Sequence, residues 1–458
     1  MHRIGQVHRA LARLSPEFVI DVLAGKDVQE TIRRDIGLVP PRRESPLHPS
    51  FVVWLTLGMA LFRADSIPNV FSRLLARWRE SNTWITLRAV TDGALAHARQ
   101  RLGAVPLRRL FEAIAGHIDP EPSFHGLRVW SLDGTVLAVA DTPANEKAFG
   151  RHPASVGCSA FPQFRLLVLT AVRTHEIRAA HWGPYLQSEA SMAPDVVRTL
   201  RKGDLLLMDR GFMSIRFYGK LHDDGVTFVV RIRNWVKARI LKRRGPGDFD
   251  VEVKSGGPTK VNNYLPRRTM VLRLIEYRVG HELVRLLTNS SDASILAREF
   301  AELYHERWEV ELVLDEFKTH FVSVRHGILD LPFRGKSPEM VEQELWAMLA
   351  TFNLVRRVVA GAARVHKIDP RRISFTDAVV VIVITWQAGM RSRAAHRCAD
   401  ARLNDDLADC VLDRWRRPRR WPRVVRIKAS PYERKKPGHR EEFHDASKLL
   451  KMGRAEGA

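Results

Sequence analysis

The sequence predicts a mixed α/β protein: a helical N-terminal region, then a central sheet with flanking helices, interrupted by a β-rich insertion. Three observations carry this. Apolar residues recur at helical spacing through residues 1–120. Near residue 125 the period changes to the alternation of strands. Residues 236–290 then collect glycines and prolines around two long alternating runs, and residues 293–320 follow without a single Gly or Pro.

Leu11, Leu14, Phe18, Val19, Val22 and Leu23 form one apolar stripe, and Val28, Ile32 and Ile36 mark a second helix that ends at Pro40–Pro41. Further helices fit 47–63, 67–78 and 92–101. The last of these opens on Thr91-Asp92, carries Arg99 and Arg101, and stops at Gly103. Another begins at Pro106. A small basic helical domain of this kind is expected to grip DNA. Residues 129–141 alternate, with a turn expected at Asp133-Gly134, and 164–172 with 176–183 form a hairpin around Thr174-His175. A helix over 193–200, a buried strand over 205–209, a helix over 213–225 and a strand over 227–233 complete the sheet region. In the insertion, 269–279 and 281–289 read as strands. Helices follow at 293–320, 338–360 and 374–390, and from about residue 396 the chain is polar and basic. The expected parts are 1–120, a helical DNA-binding domain; 121–235 with 291–395, the catalytic domain; 236–290, the insertion; and 396–458, a basic tail.

A chain of 458 residues exceeds one ordinary core. Seventy-four Lys and Arg against 51 Asp and Glu give a formal net charge of +23, which favours a polyanionic partner, nucleic acid above all. Cys158, Cys398 and Cys410 are far apart, which argues against a disulfide framework and a thiolate zinc site. The histidines form no HxH or HxxxH pair. The first residues contain no secretory apolar segment, and the longest apolar runs, Phe51–Phe62 and Ala378–Trp386, are too short for a bilayer and read as buried helices. A cytoplasmic, nucleoid-associated protein without membrane contact is expected.

Three features carry chemistry. Asp133 lies in SLDGT, and Asp209 ends the apolar strand LLLMD, ahead of Arg210-Gly211-Phe212. A strand-ending Asp is an N-cap or turn residue in the plain reading, but an apolar strand also holds its last side chain rigidly, as a metal site requires. The third feature is the helix ELYHERWEVELVLDEFKTH, in which Tyr304, Arg307, Glu311 and Lys318 fall on one stripe at about 100° per residue. Asp315 shares that stripe, so helix geometry leaves Glu311 and Asp315 as alternatives. An exposed face of i,i+4 salt bridges fits the same spacing.

Together these blocks resemble the DDE transposases of bacterial insertion sequences. Asp133, Asp209 and Glu311 match the DDE triad, and Tyr304-x2-Arg307-x3-Glu311-x6-Lys318 matches the YREK signature of insertion-sequence family four. The segments 91–103, 133–145, 208–212, 285–289 and 337–357 look like that family in order and spacing, so the resemblance covers about residues 10–390. It implies an RNase H-like mixed-sheet core with the first Asp on the first strand, the second on the fourth, and the Glu on the helix after the insertion. The YREK register chooses Glu311 over Asp315.

The resemblance further implies metal-dependent cleavage and strand transfer at element ends. Asp133, Asp209 and Glu311 would hold two Mg²⁺ ions, for which Mn²⁺ can substitute. Double-stranded DNA, as transposon ends and target, is the partner, and synapsis of two ends implies a homodimer. Tyr304, Arg307, Lys318 and Arg210 suit phosphate contacts. Some relatives stack a flipped base on an aromatic before the LLT motif; HELVRLLTN has none, and Trp235 is the substitute, or simply core. The tail, with Trp415 and Trp421 among arginines, tracks DNA backbone or is merely solvated. The alternatives to a transposase are an RNase H-like DNA endonuclease and a catalytically silent DNA-binding relative.

Overall fold

The computed structural model describes residues 47, 49–63, 65–81, 90–153, 159–234, 236, 238–255, 268–318, 333–388 and 402–412. The expected helices before Pro41, Trp235 and most of the basic tail lie outside them.

Among the described residues, four helices come first: α1 (Pro49–Leu61), α2 (Ile67–Ser81), α3 (Asp92–Leu102) and α4 (Val105–Gly116). The Thr91 hydroxyl caps α3 by accepting from the Ala94 N–H at 3.2 Å, and Gly103 ends it at φ 68°, as its sequence requires. The sheet region is β1 (Arg128–Ala138), α5 (Pro143–Phe149), β2 (Gln163–Ala171), β3 (Ile177–Pro184), α6 (Glu189–Val196), β4 (Asp204–Met208), α7 (Ile215–Asp223) and β5 (Thr227–Arg231). The insertion supplies β6 (Arg239–Gly245), β7 (Asp248–Lys254), β8 (Thr269–Val279) and β9 (Glu282–Thr288). Then come α8 (Ala297–His305), a 3₁₀ turn (Glu306–Trp308), α9 (Glu309–Phe317), α10 (Pro338–His366) and α11 (Phe375–Ala388).

Among the described residues, nine strands form one sheet in the order β3-β2-β1-β4-β5-β9-β8-β7-β6. β1, β2 and β3 are an antiparallel meander, while β4 and β5 run parallel to β1. Alternation along the strands makes a core on each side. Val129, Leu205, Leu207 and Val229 pack with Phe300, Leu303 and Tyr304 of α8. Trp130, Leu132, Leu206 and Met208 pack in the other cluster, which also holds Met192 and Val196 of α6 and Phe217 and Leu221 of α7.

Several expectations are corrected. β1 runs unbroken through Asp133 and Gly134, because both pair with β2 opposite Val168 and Leu167; there is no turn there. The helix expected over 193–200 begins earlier, where the Ser188 hydroxyl caps it. The insertion holds four strands rather than two, and β9 pairs with β5, so it extends the sheet rather than standing apart. The helix expected over 293–320 is broken by the 3₁₀ turn. α11 leaves Val380 and Ile384 exposed, so only one side of it is buried.

The described N-terminal helices are not a separate unit. Phe51, Leu55, Leu107 and Phe111 belong to the same core cluster as the sheet residues, through the long helix α10. Gln343 of α10 accepts from Arg99 Nε at 3.0 Å and donates to the Arg99 and Gly103 carbonyls at 2.8 and 2.7 Å. Glu344 pairs with Arg63 and accepts from the Arg334 and Gly335 N–H groups at 3.0 and 3.1 Å. Arg99 is therefore buried structure rather than a DNA grip.

Candidate active site

The two aspartates are brought together by strand register. β1 and β4 are parallel with Leu132 opposite Met208, so Asp133 and Asp209, the first residue after β4, follow neighbouring positions, and the Asp209 charge acts on Asp133. Parallel neighbours stand about 4.8 Å apart. Backbone amides orient both carboxylates: Gly134 N–H donates to Asp133 Oδ1 at 2.8 Å, and Gly211 N–H donates to Asp209 Oδ1 at 2.7 Å. Burial pushes the Asp133 carboxyl up to about 6; the Gly134 amide and Arg307 oppose this, and the nearby Asp209 and Glu189 charges add to it.

The third element approaches from the helical side. α9 packs against β1. Arg307 Nη2 donates to Glu311 Oε1 at 2.9 Å, and Arg307 Nη1 lies 3.6 Å from Asp133 Oδ2. The guanidinium also lies over the Tyr304 and Trp308 rings at 6.0 and 5.2 Å, giving cation–π contacts with both. Arg307 is thus the link between the aspartate pair and Glu311. Among the described residues, no three acidic, His or Cys side chains converge closely enough to grip one ion.

The signature residues differ in burial. Tyr304 is buried in the core beside β4 and β5, and its hydroxyl is pushed well above its ordinary range by that burial. Glu311 remains 40% exposed. Lys318 caps α9, nearly two turns beyond Glu311. Arg210 is exposed in the 3₁₀ turn that Asp209 caps.

Three residues were missed by sequence reasoning. Glu189, the first residue of α6, is held by Arg165 at 2.7 Å. It packs under Gly134, where an added Cβ would stand 2.5 Å from its carboxyl carbon. Only a glycine in β1 allows that approach. Trp308, directly after Arg307, is 57% exposed beside Glu311, and its place inside the signature was the available signal. His175, buried at the β2–β3 corner with φ 62°, bonds Glu309 Oε2 at 2.8 Å and ties that corner to the helix carrying Glu311. No local pattern marks it.

Parallel β1 and β4, an antiparallel β1–β3 meander and a helix following an insertion in the sheet are the arrangement of an RNase H-like fold. Comparison with known proteins narrows this. Residues 125–354 match the model of the transposase DDE domain, and residues 10–112 match that of the N-terminal region of the insertion element 4 transposase. The transposase InsG for insertion sequence element IS4 of Escherichia coli K12 is 28% identical over 401 residues, 85% of this chain and 87% of that one. A piggyBac transposase synaptic complex with hairpin DNA has a TM-score of 0.45 at 13% identity, over 88% of this chain and 86% of that chain. The chain belongs to the DDE transposase family, in its insertion-sequence-four branch, and its activity is DNA transposition. Enzymes of this family use divalent metal ions. No described helix is long and apolar enough to cross a membrane.

Proposed function

We propose that Asp133, Asp209 and Glu311 are the catalytic triad of a cut-and-paste transposase that cleaves the ends of its element and joins them to target DNA. The observation that carries this reading is the register of β1 and β4, which puts two backbone-oriented aspartates side by side, with Glu311 linked to Asp133 through Arg307. The donor set fits Mg²⁺: each aspartate has one oxygen fixed by an amide, and Arg307 already supplies a cation against Asp133 and Glu311. Two Mg²⁺ ions, or Mn²⁺ in their place, would supply charge stabilisation for the entering and leaving oxygens of an in-line displacement.

The chain's own residues do the rest. Arg307 and Lys318 neutralise phosphates of the strand near the scissile bond, and exposed Arg210, next to Asp209 in the chain, assists. Tyr304 acts chiefly through its ring, as a platform under Arg307. Water attacks the phosphodiester at the element end and frees a 3′-OH. That hydroxyl attacks the opposite strand and displaces the flanking DNA, leaving a hairpin, which a second water reopens. The regenerated 3′-OH attacks a target phosphodiester and displaces a target 3′-oxygen. Trp308 is exposed beside Glu311 and suits stacking of a base unpaired at the hairpin. Trp235 keeps that role as an alternative. A homodimer pairs two ends in the cytoplasm, among the nucleoid DNA.

The test is incubation with Mg²⁺ and duplexes carrying the element's inverted repeats. Hairpins and joined products are expected. Nicks or simple breaks alone would instead mark an endonuclease, and no cleavage at all would mark a silent DNA-binding relative.

A further inference from the structure

Arg307 is poorly placed for phosphate contact alone. It is only 9% exposed, its Nη2 is engaged by Glu311 and its Nη1 faces Asp133. Tyr304 and Trp308 hold the guanidinium over their rings. The same carboxylates are those assigned above to divalent ions. One positive group therefore stands against two of the three proposed ligands.

We propose that Arg307 is a built-in counter-cation: without DNA it supplies against Asp133 and Glu311 the positive charge that a divalent ion would supply, and it leaves when a DNA phosphate offers it a better partner. This deepens the triad reading and rests on it. The physical reasons are threefold. A guanidinium satisfies a carboxylate with directed hydrogen bonds and stays charged at every accessible pH. An Asp133 and Glu311 left without a counter-charge would repel each other in a half-buried site. A phosphate accepts the same fork of N–H groups, so moving Arg307 to the strand exposes the carboxylates just as the substrate arrives. The arrangement makes ion binding and DNA binding cooperative and keeps the free enzyme from loading metal strongly. The 3₁₀ turn at Glu306–Trp308, a break in an otherwise α-helical segment, is where such a movement is least costly.

The test is Mn²⁺ binding to the full chain without DNA, followed by electron paramagnetic resonance of free Mn²⁺. Wild type is compared with Arg307→Gln, Arg307→Lys, Asp133→Asn and Glu311→Gln, each checked for folding by circular dichroism. Removing a positive charge about 4 Å from the ligands should tighten Mn²⁺ binding roughly tenfold in Arg307→Gln. Arg307→Lys, which keeps the charge but loses the fork, should fall between. A purely structural arginine would leave affinity unchanged or weaken it, so an Arg307→Gln affinity equal to or below wild type overturns the proposal. Asp133→Asn and Glu311→Gln should bind Mn²⁺ more weakly than Arg307→Gln. If those two variants match wild type while Arg307→Gln binds tighter, the triad assignment fails and the proposal with it. If they bind more weakly and Arg307→Gln is unchanged, the counter-cation role alone fails.

Discussion

Asp133 should destabilise the metal-free fold at neutral pH, and Asp133→Asn should relieve that cost. Burial, with the Asp209 and Glu189 charges, pushes its carboxyl from an ordinary 3.8 to about 6, even after the Gly134 amide and Arg307 have lowered it. The folded state thus holds this proton to higher pH than the unfolded chain. Its contribution to stability is complete below about pH 4 and is lost as pH rises through about 6. At about 1.4 kcal/mol per pH unit the span amounts to roughly 3 kcal/mol, and the 19% exposure of the side chain reduces this to about 2 kcal/mol by solvent screening. Asparagine keeps the size and can still accept from Gly134 N–H. Thermal or denaturant unfolding in EDTA at pH 4, 5, 6 and 7 measures the difference. Asp133→Asn should be more stable by about 2 kcal/mol at pH 7, and the advantage should vanish near pH 4. Added Mg²⁺ should stabilise wild type more than the variant. A variant less stable than wild type at pH 7, or a difference independent of pH, would refute the reasoning.

Three further outcomes are expected. Glu311→Gln should reduce DNA cleavage by about a hundredfold or more, as loss of a metal ligand does. Asp315→Asn should leave it within about twofold of wild type, and the reverse result would move the third carboxylate to Asp315. Gly134→Ala puts a Cβ 2.5 Å from the Glu189 carboxyl carbon. It should cost about 1–3 kcal/mol in unfolding experiments, part of which Glu189→Ala should restore. Trp308→Ala removes an exposed ring, so stability should change by less than about 1 kcal/mol. Hairpin formation should slow by about tenfold or more while the first nick is spared; equal slowing of both steps would remove its stacking role.

How far the sequence reached is clear at particular residues. The strands carrying Asp133 and Asp209 were legible because an apolar alternating run has few other ways to be buried. The cap of α3 was legible because Thr91 and Gly103 act within a few residues of themselves. Glu311 was separated from Asp315 only by resemblance, since both share one helical stripe. The continuity of β1 through Asp133-Gly134 escaped, because a DG pair signals a turn locally while two neighbouring strands hold it straight. The two short strands of the insertion escaped because β6 is mostly exposed and basic, and only pairing with β7 defines it.

By itself, then, the sequence determined the family, the two aspartate strands, the signature helix and a basic balance suited to DNA, because periodicity, capping and motif order are properties of adjacent residues. Tertiary structure alone decided the rest. Strand register makes Asp133 and Asp209 neighbours across 76 residues of chain, core packing takes in Tyr304 while Glu311 stays partly exposed, and Arg307 reaches Asp133 from another element. These are contacts between segments distant in sequence. Packing and charge select them only once the sheet has formed.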